Sequence, residues 1–144
     1  MADKPFRCRV ITPEARIFDG NVSYAAVPMW DGSRGIMANA GAIVGKLGPG
    51  ELRIEFVDRY EQGVKLEESG RKRWFIEGGF MQNVQNELTI LASRAIEAEQ
   101  LDAEAARKEL AAAQERTSRE PGEMDRITES RARARAKLAM ATRR

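Results

Sequence analysis

The stretch Arg73 to Ile96, RWFIEGGFMQNVQNELTILASRAI, marks a change of character that leaves few folds open to this chain. Trp74 and Ile76 alternate with Phe75 and Glu77, Gly78-Gly79 breaks the run, and Phe80 to Val84 forms a second extended segment. After the polar Gln85-Asn86-Glu87, Leu88 to Ala92 forms a third. Short period-two runs rich in aromatic and β-branched residues, punctuated by Gly and Asn, are strand signals. From Glu97 onward β-branched residues nearly vanish and Ala, Glu and Arg take over, which is helix composition. The pattern predicts an α+β chain: an all-β body over residues 1–96 and a helical hairpin over residues 97–144.

The earlier segments fit the same body. Phe6-Arg7-Cys8-Arg9-Val10 alternates, with Phe6, Cys8 and Val10 turned inward, and Thr12-Pro13 ends it. Asp19-Gly20-Asn21 reads as a turn, Val22 to Val27 as the next strand, and Trp30 to Gly35 as a Gly-rich loop leading into Ile36-Met37. Ala42-Ile43-Val44 and Leu47 are apolar again, and Gly48-Pro49-Gly50 turns the chain into the alternating Glu51 to Val57. Arg59 to Lys72 is polar and reads as a long hairpin tip with an edge pair at Val64-Lys65-Leu66. Many short strands at this spacing suggest a sandwich or flattened barrel.

In the tail, Asp102 is placed to cap a first helix with the seam Ala103, Ala106, Leu110 and Ala113. Pro121-Gly122 breaks the pattern, and a second helix carries the seam Met124, Ile127, Arg131, Ala134, Leu138 and Ala141. Such Ala-rich seams bury little apolar area, so the hairpin is expected to be marginal by itself and able to leave its place.

Chemistry is thinly represented. The 144 residues include no histidine, which removes the usual general base and the commonest metal ligand. The single cysteine, Cys8, lies in an inward strand phase and reads as a small core side chain; one cysteine allows no internal disulfide. Gly41 to Lys46 superficially resembles a phosphate loop, but its glycines are one residue too close and Leu47 stands where a hydroxyl must bind magnesium. Glu67-Glu68 in the hairpin tip reads as a solvated face. No catalytic residue, metal site or cofactor is expected. No apolar run approaches the ~18 residues of a membrane span, and the opening residues lack a signal-peptide core.

Net charge is only +2, yet residues 130–144 hold Arg131, Arg133, Arg135, Lys137, Arg143 and Arg144 without an acid. On a helix this makes a broad basic arc. It fits a solvated helix end or a contact with an acidic protein surface. Nucleic acid is the weakest option, because no aromatic residue is interleaved for base stacking.

Taken in order, several stretches resemble the epsilon subunit of bacterial F-type ATP synthase, the delta subunit of mitochondria. They are Val10-Ile11-Thr12-Pro13-Glu14, Ile17-Phe18-Asp19-Gly20, Gly32-Ser33-Arg34-Gly35-Ile36, and Leu47-Gly48-Pro49-Gly50-Glu51-Leu52-Arg53-Ile54. Phe75-Ile76-Glu77-Gly78-Gly79-Phe80, then Leu91-Ala92 with Ala95, then Leu101-Asp102 complete the series. The resemblance implies a β-sandwich of about ten strands with a C-terminal antiparallel hairpin, in the central stalk. It implies a non-catalytic rotor subunit, peripheral at the cytoplasmic face of the inner membrane, that binds the gamma subunit and the c-ring. The loop Asp31, Gly32, Ser33 and Arg34 would meet the ring. The hairpin would restrain ATP hydrolysis, with Arg131, Arg133, Arg135 and Lys137 meeting acidic surface on the alpha and beta subunits.

Departures are local. The family's Pro-Gly-His-Ala-Pro is Ala38-Asn39-Ala40-Gly41-Ala42 here, Ser33 replaces an acid, and the Arg59 to Lys72 hairpin is roughly ten residues longer than usual. The nucleotide motif of some relatives begins at Leu101-Asp102 but carries Ala105 at its arginine position, which predicts weak or no nucleotide binding.

Overall fold

A computed structural model describes residues 4–66, 68–115 and 123–142. Ten strands come first: β1 (Phe6–Ile11), β2 (Arg16–Met29), β3 (Gly32–Ile36), β4 (Ile43–Leu47), β5 (Gly50–Glu61), β6 (Val64–Leu66), β7 (Gly70–Ile76), β8 (Gly79–Val84), β9 (Glu87–Ala92) and β10 (Ala95–Glu97). A 3-10 turn, Ala98–Gln100, leads to helices α1 (Ala103–Glu115) and α2 (Glu123–Thr142). The main path runs β1-β9-β8-β4-β2-β5-β7-β10, with β3 on β2 and β6 on β5. Because β1 pairs with both β9 and β2, and β2 touches β4 at Met29–Leu47, the path closes on itself and leaves a two-layered sandwich.

Alternation fills its interior. Phe6, Cys8, Val10, Val22, Ala25, Leu52, Ile54, Trp74, Ile76, Leu88 and Ile90 are all buried in one cluster. Phe18 anchors it, with its ring 5.6 Å from that of Phe56 and 6.0 Å from that of Trp74. Two of the connections are tight two-residue turns with left-handed backbone at both positions, Gln62-Gly63 and Gln85-Asn86.

Two local expectations are corrected. Asp19-Gly20-Asn21 is not a turn, since β2 passes straight through it for 14 residues. Gly20 is needed for close approach, because a Cβ there would collide with the Asp58 carbonyl oxygen of β5. Asn21 is recruited by the same neighbour: its backbone and side-chain amides both donate to Asp58 Oδ1, at 3.0 Å each. Nor is Trp30 to Gly35 a loop. Only Trp30 and Asp31 turn, and Gly32 already pairs with Met29 as β3 begins.

The segment 37–42 closes differently from a proline-rich turn. Asn39, at φ +65°, donates its backbone N–H to Asn86 Oδ1 at 2.6 Å, and Asn86 Nδ2 donates back to Asn39 Oδ1 at 3.2 Å. A reciprocal amide pair ties this segment to the β8–β9 turn.

The helices pack on the outer face of β7 and β10 through a second cluster, smaller than the first. Phe75, Ala98, Leu101, Met140 and Ala141 are its buried members. Asp102 Oδ1 accepts from the Glu104 N–H at 2.9 Å, the expected cap. Ala106, Ala113, Ile127, Ala134 and Ala141 are buried, as the seams require. The Pro121-Gly122 break, Glu67, and the side chain of Met124 lie outside the described residues.

Candidate functional site

One end of the outer face of β1-β9-β8-β4 carries apolar side chains in the open, with Lys46 set opposite Phe80 at their border. Register brings Ile11 beside Leu91, and Leu91 beside Phe80. Val44 lies diagonally across on β4, opposite Gln82. Leu91 is 50% exposed, Phe80 59% and Val44 70%, although each sits in a well-ordered ladder. Strand alternation forces one side chain in two outward, but it does not force that side chain to be Phe or Leu. A contiguous row of this kind marks a surface meant to be covered.

Trp30 projects from the β2–β3 turn with 70% of its surface exposed. Asp31 shares that turn, while Gly32, Ser33 and Arg34 follow along β3, all of them exposed. The four residues expected as a ring-contact loop are therefore together, but on the rigid end of a hairpin. Gly32 holds φ +127°, which the turn requires of it.

The four cations expected to act together are divided. Lys137 Nζ lies 3.1 Å from Glu109 Oε2 on α1 and 3.7 Å from Glu77 Oε1 after β7, and 5.6 Å from the centre of the Phe75 ring. Its side chain is only 15% exposed. Arg131 turns the other way and donates to the carbonyl oxygens of Ala113, at 3.0 Å, and Gln114, at 3.2 Å. These are orphan acceptors at the end of α1, so the arginine serves as that helix's C-terminal cap. Arg133 and Arg135 make no ion pair among the described residues, and Arg135 is exposed. Arg143 and Arg144 lie outside the described residues.

Leu101, Asp102 and Ala105 line a cleft of 450 Å³ with Arg94, Glu109 and Lys137. Its cations are already engaged, Lys137 as above and Arg94 with Glu77 at 3.9 Å. Asp102 and Glu109 add carboxylates to the wall, so the cleft offers a polyphosphate little net attraction.

Cys8 is fully buried, and burial, reinforced by the nearby Asp19 carboxylate, pushes its thiol pKa far up. It is a packing residue. Gly41 to Lys46 splits between a connection and strand β4, so it forms no loop that could cradle phosphate. Glu68 pairs with Arg59 at 2.9 Å. Among the described residues no cluster of His, Cys, Asp or Glu could hold a metal, and no helix is long and apolar enough to cross a membrane.

Sequence reasoning missed Phe75, Met140, Glu77 and Glu109. One signal was available: three consecutive apolar residues, Trp74-Phe75-Ile76, ask for cover on both faces of a strand. The ion pairs left no such mark.

A rigid sandwich with an open apolar face, an aromatic-tipped hairpin and a separately packed pair of helices defines a small docking subunit. The family model described as ATP synthase, Delta/Epsilon chain, beta-sandwich domain, matches residues 5–98. The ATP synthase epsilon chain of Rhodopirellula baltica is 36% identical over 115 residues, 80% of this chain and 81% of the relative. That of Delftia acidovorans is 31% identical over 131 residues, 91% of this chain and 84% of the relative. Among solved structures, a chain of the Euglena gracilis mitochondrial ATP synthase, OSCP/F1/c-ring, superposes with TM-score 0.70 at 25% identity. It is matched over 99% of this chain and 82% of that one. A chain of the Tetrahymena thermophila mitochondrial ATP synthase central stalk and c-ring shares the fold, with TM-score 0.72 at 16% identity and coverage of 98% and 99%. The chain belongs to the ATP synthase epsilon-chain family, and its role is that of a rotor-stalk subunit.

Proposed function

We propose that this subunit couples the gamma subunit and the c-ring of a proton-translocating ATP synthase through its sandwich, and restrains ATP hydrolysis through its helical hairpin. The observation that carries the docking role is the open apolar row Ile11, Leu91, Phe80 and Val44. Covering such a row recovers about 25 cal/mol per Å² of apolar surface, and a sheet whose backbone is already ordered adds little backbone-ordering cost. The Trp30 tip with Asp31, Gly32, Ser33 and Arg34 faces the ring in this reading, and the c-ring in the matching Euglena assembly supports that partner. The subunit itself performs no chemistry and sits peripherally at the cytoplasmic face of the coupling membrane.

The hairpin is the controlling part. Arg133 and Arg135 are available to acidic surface on the alpha and beta subunits while the hairpin is docked. Undocking releases Lys137 only from Glu77. Arg131 and Lys137 become fully available only when α1 and α2 part, because Arg131 and Glu109 tie them together. The crowded carboxylates around Asp102 and the missing arginine at Ala105 support weak or absent nucleotide binding.

Co-purification tests the docking role. A tagged copy should bring gamma and c subunits with it, and Phe80→Asp with Leu91→Asp should weaken their retention at least about 10-fold, since both side chains are central to the row. Undiminished retention by that variant would overturn the assignment of this face.

A further inference from the structure

Among the described residues, the outer face of β2, β5 and β7 carries one cation, Arg53, without a carboxylate. Glu51, Arg53 and Glu55 point outward from β5, and Arg71 and Arg73 from β7. Register sets Arg53 directly opposite Arg73, an unfavourable like-charge pairing. Arg73 escapes to Glu51, with Nε at 2.8 Å, and Arg71 reaches Glu55 at 3.5 Å. Both acids are thus taken. Arg53 instead lies over the ring of Tyr24, its guanidinium 5.8 Å from the ring centre. It makes no ion pair among the described residues, and its Nε is shut off from water without an acceptor.

An N–H donor that is desolvated and unmatched is a standing cost. Since Arg53 as a whole is half-buried and lines a cleft, its uncompensated charge can be met there by an anion. The surroundings can admit one. Arg53 and Tyr24 stand at a cleft of 370 Å³ whose other lining includes Pro28, Pro49, Ser33 and Glu51, whose carboxylate Arg73 already neutralises at 2.8 Å. Two prolines make its walls stiff. Its size suits a single side chain, and it is small for a nucleotide. It opens beside Gly32 and Ser33, at the same end of the sandwich as the exposed Trp30.

We infer that this cleft is an acceptor site for one aspartate or glutamate side chain presented by a partner chain docked at the β2–β3 tip. Tyr24 pre-orients the guanidinium, the fork of Arg53 receives the carboxylate, and the Ser33 hydroxyl is placed to assist. Continuity with the Trp30 tip argues for a neighbouring subunit as the source of the acid, and the surplus cation argues for its sign. The inference rests on the stalk-subunit reading, because it needs a partner at that tip.

Full-length Arg53→Glu, Arg53→Gln and Arg53→Lys variants, each confirmed folded by an unchanged thermal transition, test it in the assembled ATP synthase. Arg53→Glu should weaken retention of the subunit about 100-fold and Arg53→Gln about 10-fold, while Arg71→Gln on the same face should leave it unchanged. Arg53→Lys puts a primary amine in the cleft, so carbodiimide treatment should join position 53 to an Asp or Glu of a neighbouring subunit. Equal retention of Arg53→Glu and wild type, or cross-links only to Glu51 or Glu55 of the same chain, would overturn the inference. Failure of the wild-type subunit itself to join the complex would instead overturn the stalk reading.

Discussion

Single side chains decide how firmly the two parts of this molecule hold together. Lys137 is shared by Glu109 and Glu77, and therefore joins α2 to α1 and to the end of β7. Glu77→Gln with Glu109→Gln frees that ammonium while keeping its shape. Glu109 is 39% exposed, so screening limits the effect to about 1 kcal/mol, or a rise of about fivefold in amide exchange along α2. The Asn39–Asn86 pair holds a connection that after Met37 is otherwise built from Ala and Gly. Asn86→Ala loses two hydrogen bonds and places Ala at φ +61°, which should lower stability by about 2 kcal/mol in thermal unfolding. Cys8 should resist iodoacetamide until the chain unfolds. Its raised pKa keeps it protonated when folded, while the unfolded thiol ionises near pH 8.5, so the unfolded state binds fewer protons above that pH. Stability is therefore lost as pH rises past about 8.5, and Cys8→Ala should flatten that slope. Inward placement of Cys8 was legible from strand alternation. The partner of Lys137 on α1 was not, because an ion pair across 28 residues leaves no period in the sequence, and neither was the Tyr24 ring beneath Arg53.

Among the elements, regular strands and helices were legible wherever one face met the core, since alternation and the Ala seams record that directly. The β2 strand shows where this stops. Asp19-Gly20-Asn21 carries turn chemistry, but its glycine answers to a neighbouring strand 38 residues away, whose backbone passes over it. Gly20→Ala should accordingly cost about 3 kcal/mol or prevent folding, read by chemical denaturation, whereas a true turn glycine would cost far less. The β2–β3 tip was misjudged for the opposite reason, its Gly-rich strand being exposed from Gly32 to Gly35 and so showing no apolar alternation. The hairpin rests on Phe75, Leu101 and Met140, three large side chains amid alanines. Met140→Ala leaves a gap against Phe75 and should loosen α2 by about 2–3 kcal/mol while the sandwich transition stays put.

Across the whole molecule, two separate apolar clusters imply two separable tasks. The larger is closed by the strands alone, and the smaller holds the helices through few contacts. β10 continues to Glu97, and Leu101 belongs to the same cluster as Phe75. A chain ending at Leu101 keeps the docking row, the Trp30 tip and the Arg53 cleft, and loses every cation of α2. ATP hydrolysis by the assembled complex carrying that shortened chain is the decisive quantity, read together with how much of the chain is retained. Retention equal to that of the full-length subunit, with hydrolysis raised severalfold, is expected; loss of the shortened chain from the complex, or hydrolysis unchanged with it in place, would contradict the division into a docking sheet and a restraining hairpin.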